Sequence, residues 1–231
     1  MQPSFALFFV TAVAYLLGSL SFAVIVSRLM GLSDPRTFGS KNPGATNVLR
    51  SGKKLAAVLT LLGDAPKGWL AVWLASKLGF TPLEAACAGL FALLGHIFSV
   101  FLRFKGGKGV ATALGVMIGV DIQLAVLCAL VWLTVAFVTR YSSAAALAAA
   151  AAAPISGLMF LGPHPIVLVL LTMAGLLFWR HAANIARLSA GTEGKIGGGK
   201  RADARCALSG APTSSIHRCF AGCGGCNSAD G

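Results

Sequence analysis

The strongest constraint on this chain is a series of apolar stretches separated by short polar segments. The first stretch covers residues 5–29, which exceeds the roughly 20 helical residues needed to cross a hydrocarbon core of about 30 Å. Six more stretches follow, at residues 55–78, 83–102, 110–120, 124–138, 144–161 and 166–179. Hydrophobic residues make up 56% of the 231 residues and charged residues only 11%, a composition outside the range of ordinary soluble domains. The pattern predicts an all-α, polytopic integral membrane protein with seven transmembrane helices.

Two of the stretches leave alternatives open. Residues 110–120 rise only about 16 Å as a helix, so this segment must tilt, use flanking residues or stop short of a full crossing, and six crossings are the alternative. The first stretch could be a cleavable signal peptide. It lacks a basic region before it and a clear small-residue cleavage site after it, so we interpret it as a span.

Basic residues are concentrated in every second connection between the predicted spans. They follow the first, third and fifth stretches and are Arg36, Lys41, Arg50, Lys53, Lys54, Arg103, Lys105, Lys108 and Arg140. The opposite connections, at 79–82, 121–123 and 162–165, contain no Lys or Arg. The positive-inside rule therefore predicts an external N-terminus and a cytoplasmic C-terminus. The net charge of +12 reflects this topology, and we expect no nucleic acid partner because the basic residues form no continuous stripe.

Composition divides the chain into two regions. We expect a transmembrane domain over residues 1–194 and a disordered cytoplasmic tail over residues 195–231, where Gly, Ala, Ser and Cys dominate without an apolar period. The potential metal ligands of the tail are His217, Cys219, Cys223 and Cys226. Their spacing fits no closed zinc module, so we predict no metal site.

The first basic loop contains the densest group of small and polar residues. Its glycines permit backbone conformations and close approach that other residues forbid, and its side chains offer uncharged hydrogen bonds. The candidate binding residues are Ser40, Asn42, Gly44, Ala45, Thr46 and Asn47. An anion could bind here, although Asn-Pro-Gly is also typical of a simple polar turn between two helices. Arg50, one turn later, favours the anion.

The second basic loop, residues 104–112, has the sequence FKGGKGVAT. It lacks the four-residue spacer of a Walker loop, which argues against ATP binding. Its glycines can expose backbone N–H groups at the start of a helix, and its lysines add positive charge, so the loop predicts a phosphate site. The candidate residues are Lys105, Gly106, Gly107, Lys108 and Gly109. The alternative is a flexible turn whose lysines only anchor the cytoplasmic face.

Two pairs of polar residues lie where later spans meet the same face. His181 and Asn184 share one helical face at the end of the last span, where His181 could be a general base or a donor to phosphate. The alternative is an ordinary polar helix end. Ser142 and Ser143 could supply hydroxyl donors or cap the next helix.

Asp64, Lys67 and His96 lie inside the predicted spans, away from the first and last few residues of each. Asp64 and Lys67 stand three residues apart, so we expect them to pair within the bundle. The pairing argues against Asp64 as a free catalytic base. We interpret His96 as a structural residue that bonds to a neighbouring helix.

Together these segments resemble the bacterial, membrane-integral acyl-phosphate:glycerol-3-phosphate acyltransferases. The matching segments are 39–48, 64–68, 94–96, 104–112 and 181–187, and they occur in order within residues 15–194. The resemblance implies a seven-helix enzyme without a cofactor. It would transfer an acyl group from acyl phosphate to glycerol 3-phosphate, giving lysophosphatidic acid and phosphate in the first step of phospholipid synthesis.

The resemblance also implies partners, a location and residue roles. The partners would be membrane lipid and the enzyme that makes acyl phosphate, and the active site would face the cytoplasm from the bacterial inner membrane. By this resemblance, acyl phosphate would be bound by Ser40, Asn42, Gly44, Ala45 and Thr46. The resemblance also implies a set of catalytic residues around glycerol 3-phosphate, which are Arg50, Lys108, Ser142, His181 and Asn184. Substrate phosphate is implied to assist proton removal, with His181 as the candidate base within the protein.

Two other classes of membrane protein fit the sequence less well than this enzyme. A transporter for a phosphorylated metabolite is the main alternative, but its polar groups should lie deeper along the spans. A lipid-binding scaffold would not require two glycine-rich anion loops. Acyltransferases that use an H-x-x-x-x-D motif are excluded, because none of the four histidines is followed by Asp five positions later.

Overall fold

The computed structural model describes the backbone of residues 3–196 and the side chains from residue 5 onward. The potential metal ligands of the predicted tail and nearly all of that tail lie outside these residues. Within the described range the chain is helical and has no strand. The helices are α1 (Pro3–Ser19), α2 (Phe22–Leu29), α3 (Ala45–Leu49), α4 (Lys54–Lys77), α5 (Pro82–Ile97), α6 (Val110–Val120), α7 (Ile122–Thr139), α8 (Ser142–Leu161), α9 (Ile166–Arg180) and α10 (Ala182–Ser189). A short 3₁₀ turn, Val100–Leu102, follows α5.

The described helices confirm an all-helical membrane protein. Four segments are long and apolar enough to cross a bilayer: α4, α7, α8, and α5 together with its 3₁₀ turn. Two bent pairs, α1 with α2 and α9 with α10, raise this number to six if each pair forms one span. Two helices remain: α3 has five residues, and the apolar helix α6 has 11. A count of seven spans, with α6 as the seventh, therefore stays a prediction.

Small residues face the interior of the bundle, whereas large apolar side chains face outward. Ala88, Ala92 and Ala145 are completely buried, while the side chain of Phe137 is 88% exposed and that of Val138 is 73% exposed. Lipid tails are as apolar as these side chains, so exposure costs little in a bilayer and close packing of helices becomes the main source of cohesion. The outer surface of the helices is therefore suited to lipid.

Glycines bring pairs of helices into direct backbone contact. A Cβ atom at Gly115 of α6 would lie 1.8 Å from the carbonyl oxygen of Ala65 on α4, and one at Gly68 would lie 2.2 Å from the carbonyl oxygen of Thr112. The same arrangement joins α1 to α5 at Gly18. No other residue could occupy these positions without separating the helices.

A break in the first span is stabilised by the predicted pair of charges. The chain interrupts its helix between α1 and α2, which frees the carbonyl group of Leu20 and the N–H group of Phe22. Lys67 Nζ donates to the Leu20 carbonyl oxygen at 2.7 Å, and the Phe22 N–H group donates to Asp64 Oδ1 at 3.4 Å. Asp64 and Lys67 also pair with each other at 2.8 Å, as predicted. Lipid offers no hydrogen bonds to broken backbone, so the pair supplies them from within the protein.

The contact between α4 and α6 generates a stability test. We expect Gly115→Ala to lower the melting temperature in detergent by several degrees, because overpacking of a tight interface costs about 1–3 kcal/mol. Gly175→Ala on α9 is the matched control, since no atom lies within 4 Å of its added Cβ. Equal melting temperatures for the two variants would contradict the close approach.

Candidate anion-binding site

The polar loops predicted to share one face meet at one end of the bundle. Thr46 on α3 and Ser142 at the start of α8 bring their hydroxyl oxygens within 3.1 Å. Lys108, just before α6, donates a hydrogen bond from Nζ to Asn184 Oδ1 on α10. Four predicted motifs therefore converge on this end of the protein.

The first loop (residues 30–44) is folded around the side chain of Asn47. Asn47 Oδ1 accepts a hydrogen bond from the N–H group of Ser40 at 2.9 Å, and Nδ2 donates to the carbonyl groups of Pro35 and Phe38 at 2.6 and 3.2 Å. Asn47 is only 2% exposed. The amide predicted to contact a ligand is thus engaged in holding the loop backbone.

The rest of the first loop contains two glycines with defined backbone roles and two polar side chains without a hydrogen-bond partner in the described part of the chain. Gly39 has a φ of +58°, and a Cβ there would lie 2.3 Å from Asn47 Oδ1, so the position requires glycine. Gly44 has an extended backbone and precedes α3 as its N-cap. Among residues 3–196, the side chains of Ser40 and Asn42 have no hydrogen-bond partner, which leaves both available to an anion.

The glycine loop (residues 103–109) is fastened to the end of α5. The N–H group of Gly106 donates to the carbonyl group of Ile97, and that of Gly107 donates to the carbonyl group of His96. The donor–acceptor distance is 3.0 Å in both cases. The sequence predicts that glycine N–H groups face a ligand, but these two satisfy carbonyl groups that the end of α5 leaves unpaired. Gly109 has a φ of +85° and caps α6.

Arg180 secures the other side of the glycine loop. Its guanidinium donates to the carbonyl groups of Gly106 and Gly107 at distances of 3.2 and 3.4 Å. Lys105 is exposed on the same loop and makes no side-chain hydrogen bond within the described range. Apart from its place beside Gly106 in the chain, no hydrogen bond among residues 3–196 joins the Lys105 side chain to another candidate residue.

A network of charged and polar groups surrounds Lys108. Asn184, which receives its hydrogen bond, donates from Nδ2 to Glu193 Oε1 over 2.6 Å. Ser143 Oγ donates to the same oxygen over 2.8 Å, and Arg187 Nε donates to Glu193 Oε2 over 2.7 Å. These groups hold a carboxylate, which shows that the cluster can coordinate an oxyanion.

Burial and neighbouring polar or charged groups shift the pKa values of Lys108 and Glu193 in opposite directions. Burial lowers the pKa of Lys108 from 10.5 to about 8, although the nearby Glu193 opposes this change. Burial alone would raise the pKa of Glu193, but hydrogen bonds from Ser143, Asn184 and Arg187 lower it below its ordinary value. Glu193 is therefore a carboxylate at neutral pH, while the charge on Lys108 is sensitive to mildly alkaline conditions.

His181 lies at the 59° bend between α9 and α10. It is 3% exposed, and Nδ1 lies 2.7 Å from the carbonyl oxygen of Leu177. A carbonyl can only accept, so Nδ1 carries the proton and Nε2 of the neutral ring is an acceptor. This tautomer suits a general base better than a donor to phosphate.

Arg50 and the serine pair complete the cluster. The Arg50 side chain runs beside Gly39 and reaches toward Gly194, and within residues 3–196 its guanidinium makes no hydrogen bond. The two serines do not cap α8, because Tyr141 occupies the N-cap position. Their hydroxyl groups instead contact Thr46 and Glu193.

Three residues of the cluster were not identified from the sequence. Arg180 and Arg187 resemble ordinary basic residues near the end of a span. Glu193 had a detectable signal, since it is the one acidic residue between Asp121 and Asp203 and lies in a basic stretch. In the part of the chain that the structure describes, no three His, Cys, Asp or Glu side chains could hold a metal ion together.

Similar proteins match most of the described chain. The family model for glycerol-3-phosphate acyltransferase matches residues 8–191. A glycerol-3-phosphate acyltransferase of Aromatoleum aromaticum is 65% identical over 187 residues, which cover 81% of this chain and 95% of that protein. One from Paraburkholderia phytofirmans is 57% identical over 199 residues, which cover 84% of this chain and 93% of that protein.

Two solved structures share the fold. Both are crystal structures of PlsY (YgiH), an integral membrane glycerol 3-phosphate acyltransferase, in a glycerol 3-phosphate form and a lysophosphatidic acid form. The first has a TM-score of 0.78 and 37% identity, and the second 0.75 and 36%. Each alignment covers 83% of this chain and 96% of the crystallised chain.

The first loop generates a test of its own. Asn47→Asp replaces a donor amide with a carboxylate and leaves the carbonyl groups of Pro35 and Phe38 facing an acceptor. We expect a loss of about 1–3 kcal/mol in stability, measured by unfolding in detergent. Asn42→Asp is the control, because Asn42 makes no side-chain hydrogen bond among the described residues and its stability change should stay within about 0.5 kcal/mol. A similar effect of both substitutions would contradict the role of Asn47.

Proposed function

Since the chain belongs to the glycerol-3-phosphate acyltransferase family, we propose that it transfers an acyl group from acyl phosphate to glycerol 3-phosphate. The products of that reaction are lysophosphatidic acid and inorganic phosphate, and the reaction opens phospholipid synthesis. Membership of the family confirms the resemblance seen in the sequence motifs. It also favours an acyltransferase over a transporter.

The hydrogen bond from Lys108 to Asn184 is the observation that carries the proposal. It joins the glycine loop to α10 across 76 residues of sequence and so forms one cationic pocket from two motifs. Phosphate is the chemical group that such a pocket suits, because it accepts several charge-assisted hydrogen bonds at once. Two phosphate groups must be held in the proposed reaction, one on each substrate.

The two sides of the cluster support a division of labour. We assign acyl phosphate to the first-loop side, whose residues are Ser40, Asn42, Gly44, Ala45 and Thr46. We assign glycerol 3-phosphate to the other side, whose residues are Arg50, Lys108, Ser142, His181 and Asn184. The contact between Thr46 and Ser142 at 3.1 Å lies where the two sides meet, which suits a reaction between the two substrates.

The chemistry requires little covalent assistance from the protein. The glycerol hydroxyl oxygen forms a bond to the acyl carbon, and the bond from that carbon to the phosphate oxygen breaks, so phosphate leaves with the electron pair. Positioning and charge neutralisation can therefore supply most of the catalysis. The hydroxyl proton goes to His181 Nε2 or to a substrate phosphate oxygen, and the tautomer of His181 supports the first route.

The location of the active site follows from the same proposal. We place the cluster on the cytoplasmic face of the bacterial inner membrane, with α6 completing a seventh span and the N-terminus outside, because the basic loops converge there. The acyl chain then lies along apolar helix faces or adjacent lipid. The enzyme that makes acyl phosphate is the proposed protein partner.

The donor is tested with purified protein and radiolabelled glycerol 3-phosphate. Synthetic acyl phosphate, acyl carrier protein loaded with the same chain, and the matching acyl coenzyme A are supplied in parallel. We expect lysophosphatidic acid from acyl phosphate alone. Product from another donor without product from acyl phosphate would overturn the donor assignment but leave the family intact.

Substitution of the cationic residues tests the pocket. Lys108→Ala and Arg50→Ala should each lower kcat/KM by about a hundredfold or more, because each removes a charged partner of phosphate. Lys53→Ala is the matched control, since Lys53 is an exposed basic residue close to Arg50 in sequence. Full activity in the first two variants would refute the pocket.

The lowered pKa of Lys108 predicts a pH dependence. Lys108 is charged below its pKa, so kcat/KM for glycerol 3-phosphate should fall as the pH rises through about 8. The substrate itself does not explain such a fall, because a phosphate monoester has already lost its second proton near pH 6. In Lys108→Arg the residual activity should show no such decline, since arginine stays charged. An unchanged decline in that variant would exclude Lys108 as its source.

A further inference from the structure

The proposed reaction does not use the buried ionisable groups beside the cluster. Asp64, Lys67 and His96 are 2%, 2% and 6% exposed, and they connect α4 with α5. Lys67 Nζ lies 2.8 Å from His96 Nδ1, 2.8 Å from Asp64 Oδ1 and 2.7 Å from the Leu20 carbonyl oxygen. An ammonium group has three N–H donors, and here each of them has one acceptor.

The tautomer of His96 follows from these contacts. Because Lys67 donates to Nδ1, that nitrogen is an acceptor and Nε2 carries the proton. The charge of the lysine also polarises the ring through this hydrogen bond, which makes the Nε2–H group a stronger donor. His96 therefore presents a donor on the side away from Lys67.

His96 Nε2 faces the place where the two anion loops meet. A Cβ at Gly107 would lie 2.2 Å from Nε2 and 2.9 Å from the carbonyl oxygen of Pro43, so the ring edge, the glycine loop and the first loop adjoin one another. Within the described residues Nε2 has no hydrogen-bond partner. Nε2 is not one of the fully buried unpaired atoms among the described side chains, which are the hydroxyl oxygens of Ser21 and Ser27. It therefore keeps accessible surface, and its N–H group is open to a ligand beside the two candidate anion loops.

We propose that His96 is a further substrate-binding residue, whose Nε2–H group donates to a phosphoryl oxygen of acyl phosphate. Acyl phosphate is the substrate concerned because Pro43 belongs to the first loop, whereas the cluster around Lys108 and Glu193 lies on the glycerol 3-phosphate side. This inference rests on the proposed function. It gives Asp64 and Lys67 a positioning role, since they orient the ring that touches the substrate.

A purely structural histidine would explain only part of the geometry. The His96 carbonyl group already accepts from Gly107, and Nδ1 already accepts from Lys67. Both contacts are independent of Nε2. The ring nitrogen that faces the loops is thus the atom that separates a structural role from a binding role.

His96→Asn tests the binding role. The asparagine Oδ1 can replace Nδ1 as the acceptor for Lys67, but no donor reaches the position of Nε2. We expect the KM for acyl phosphate to rise roughly 10- to 100-fold, as for loss of a hydrogen bond to a charged group, while the KM for glycerol 3-phosphate stays within about twofold. Membrane insertion and melting temperature are measured on the same preparation.

A second pair of variants covers a failure of His96→Asn to insert. His96→Gln and His96→Met have side chains of equal length, and the glutamine amide can donate near the Nε2 position whereas methionine cannot. We expect the glutamine variant to keep a KM for acyl phosphate at least fivefold below that of the methionine variant, on the order of one hydrogen bond.

Two results would overturn the inference: an unchanged KM for acyl phosphate in the variants without a donor, or an equal rise in both KM values. Wild-type protein assayed alongside separates this outcome from a failure of the proposed function. If the wild type makes no lysophosphatidic acid from acyl phosphate, the donor assignment itself is wrong.

Discussion

The Lys67 ammonium group is the interaction on which the rest of the structure depends. It lies inside the bundle and is only 2% exposed, so its three N–H groups must donate to acceptors of the protein. They donate to Asp64 on its own helix, to the Leu20 carbonyl at the break of the first span, and to His96 on α5. A single side chain thus connects three parts of the membrane domain. Replacing it with an apolar residue would leave a carboxylate and a broken backbone unpaired in a region without water.

The same interaction extends to the loops. His96 lies at the end of α5, where its carbonyl group and that of Ile97 hold the N–H groups of Gly106 and Gly107. The glycine loop is therefore fixed by the core on one side and by Arg180 on the other. Lys108 and Asn184 meet because both ends of this loop are held. The buried charges inside the spans and the candidate anion site are consequently joined by one series of hydrogen bonds.

The apolar pattern could predict the helices because periodicity and length are local properties. Residues 110–120 were predicted as one segment, and the structure has α6 at Val110–Val120. The spacing of Asp64 and Lys67 likewise predicted their pairing. The break after Ser19 could not be predicted, since the group that captures the Leu20 carbonyl lies 47 residues away. Tertiary contacts of that kind have no signature within the segment they change.

The same limit applies to the candidate site. Residue types identified Lys108, His181 and Asn184, because each has a side chain with evident chemistry. Residue types did not show that the Asn47 side chain bonds to the backbone of the first loop, or that two glycine N–H groups bond to carbonyl groups of α5. Both depend on tertiary contacts that decide which partner each polar group has. Glu193 was missed because a carboxylate is not an expected component of an anion site.

The carboxylate of Glu193 sets the electrical balance of the pocket. Four cationic side chains, Arg50, Lys108, Arg180 and Arg187, stand against this one carboxylate, which leaves three positive charges. A phosphate monoester above pH 7 carries about two negative charges. In the proposed reaction, arrival of glycerol 3-phosphate would neutralise most of this charge and leave about one positive charge for the second phosphate group. Without Glu193 the pocket would carry one more positive charge and would attract a phosphate dianion, including released phosphate, more strongly.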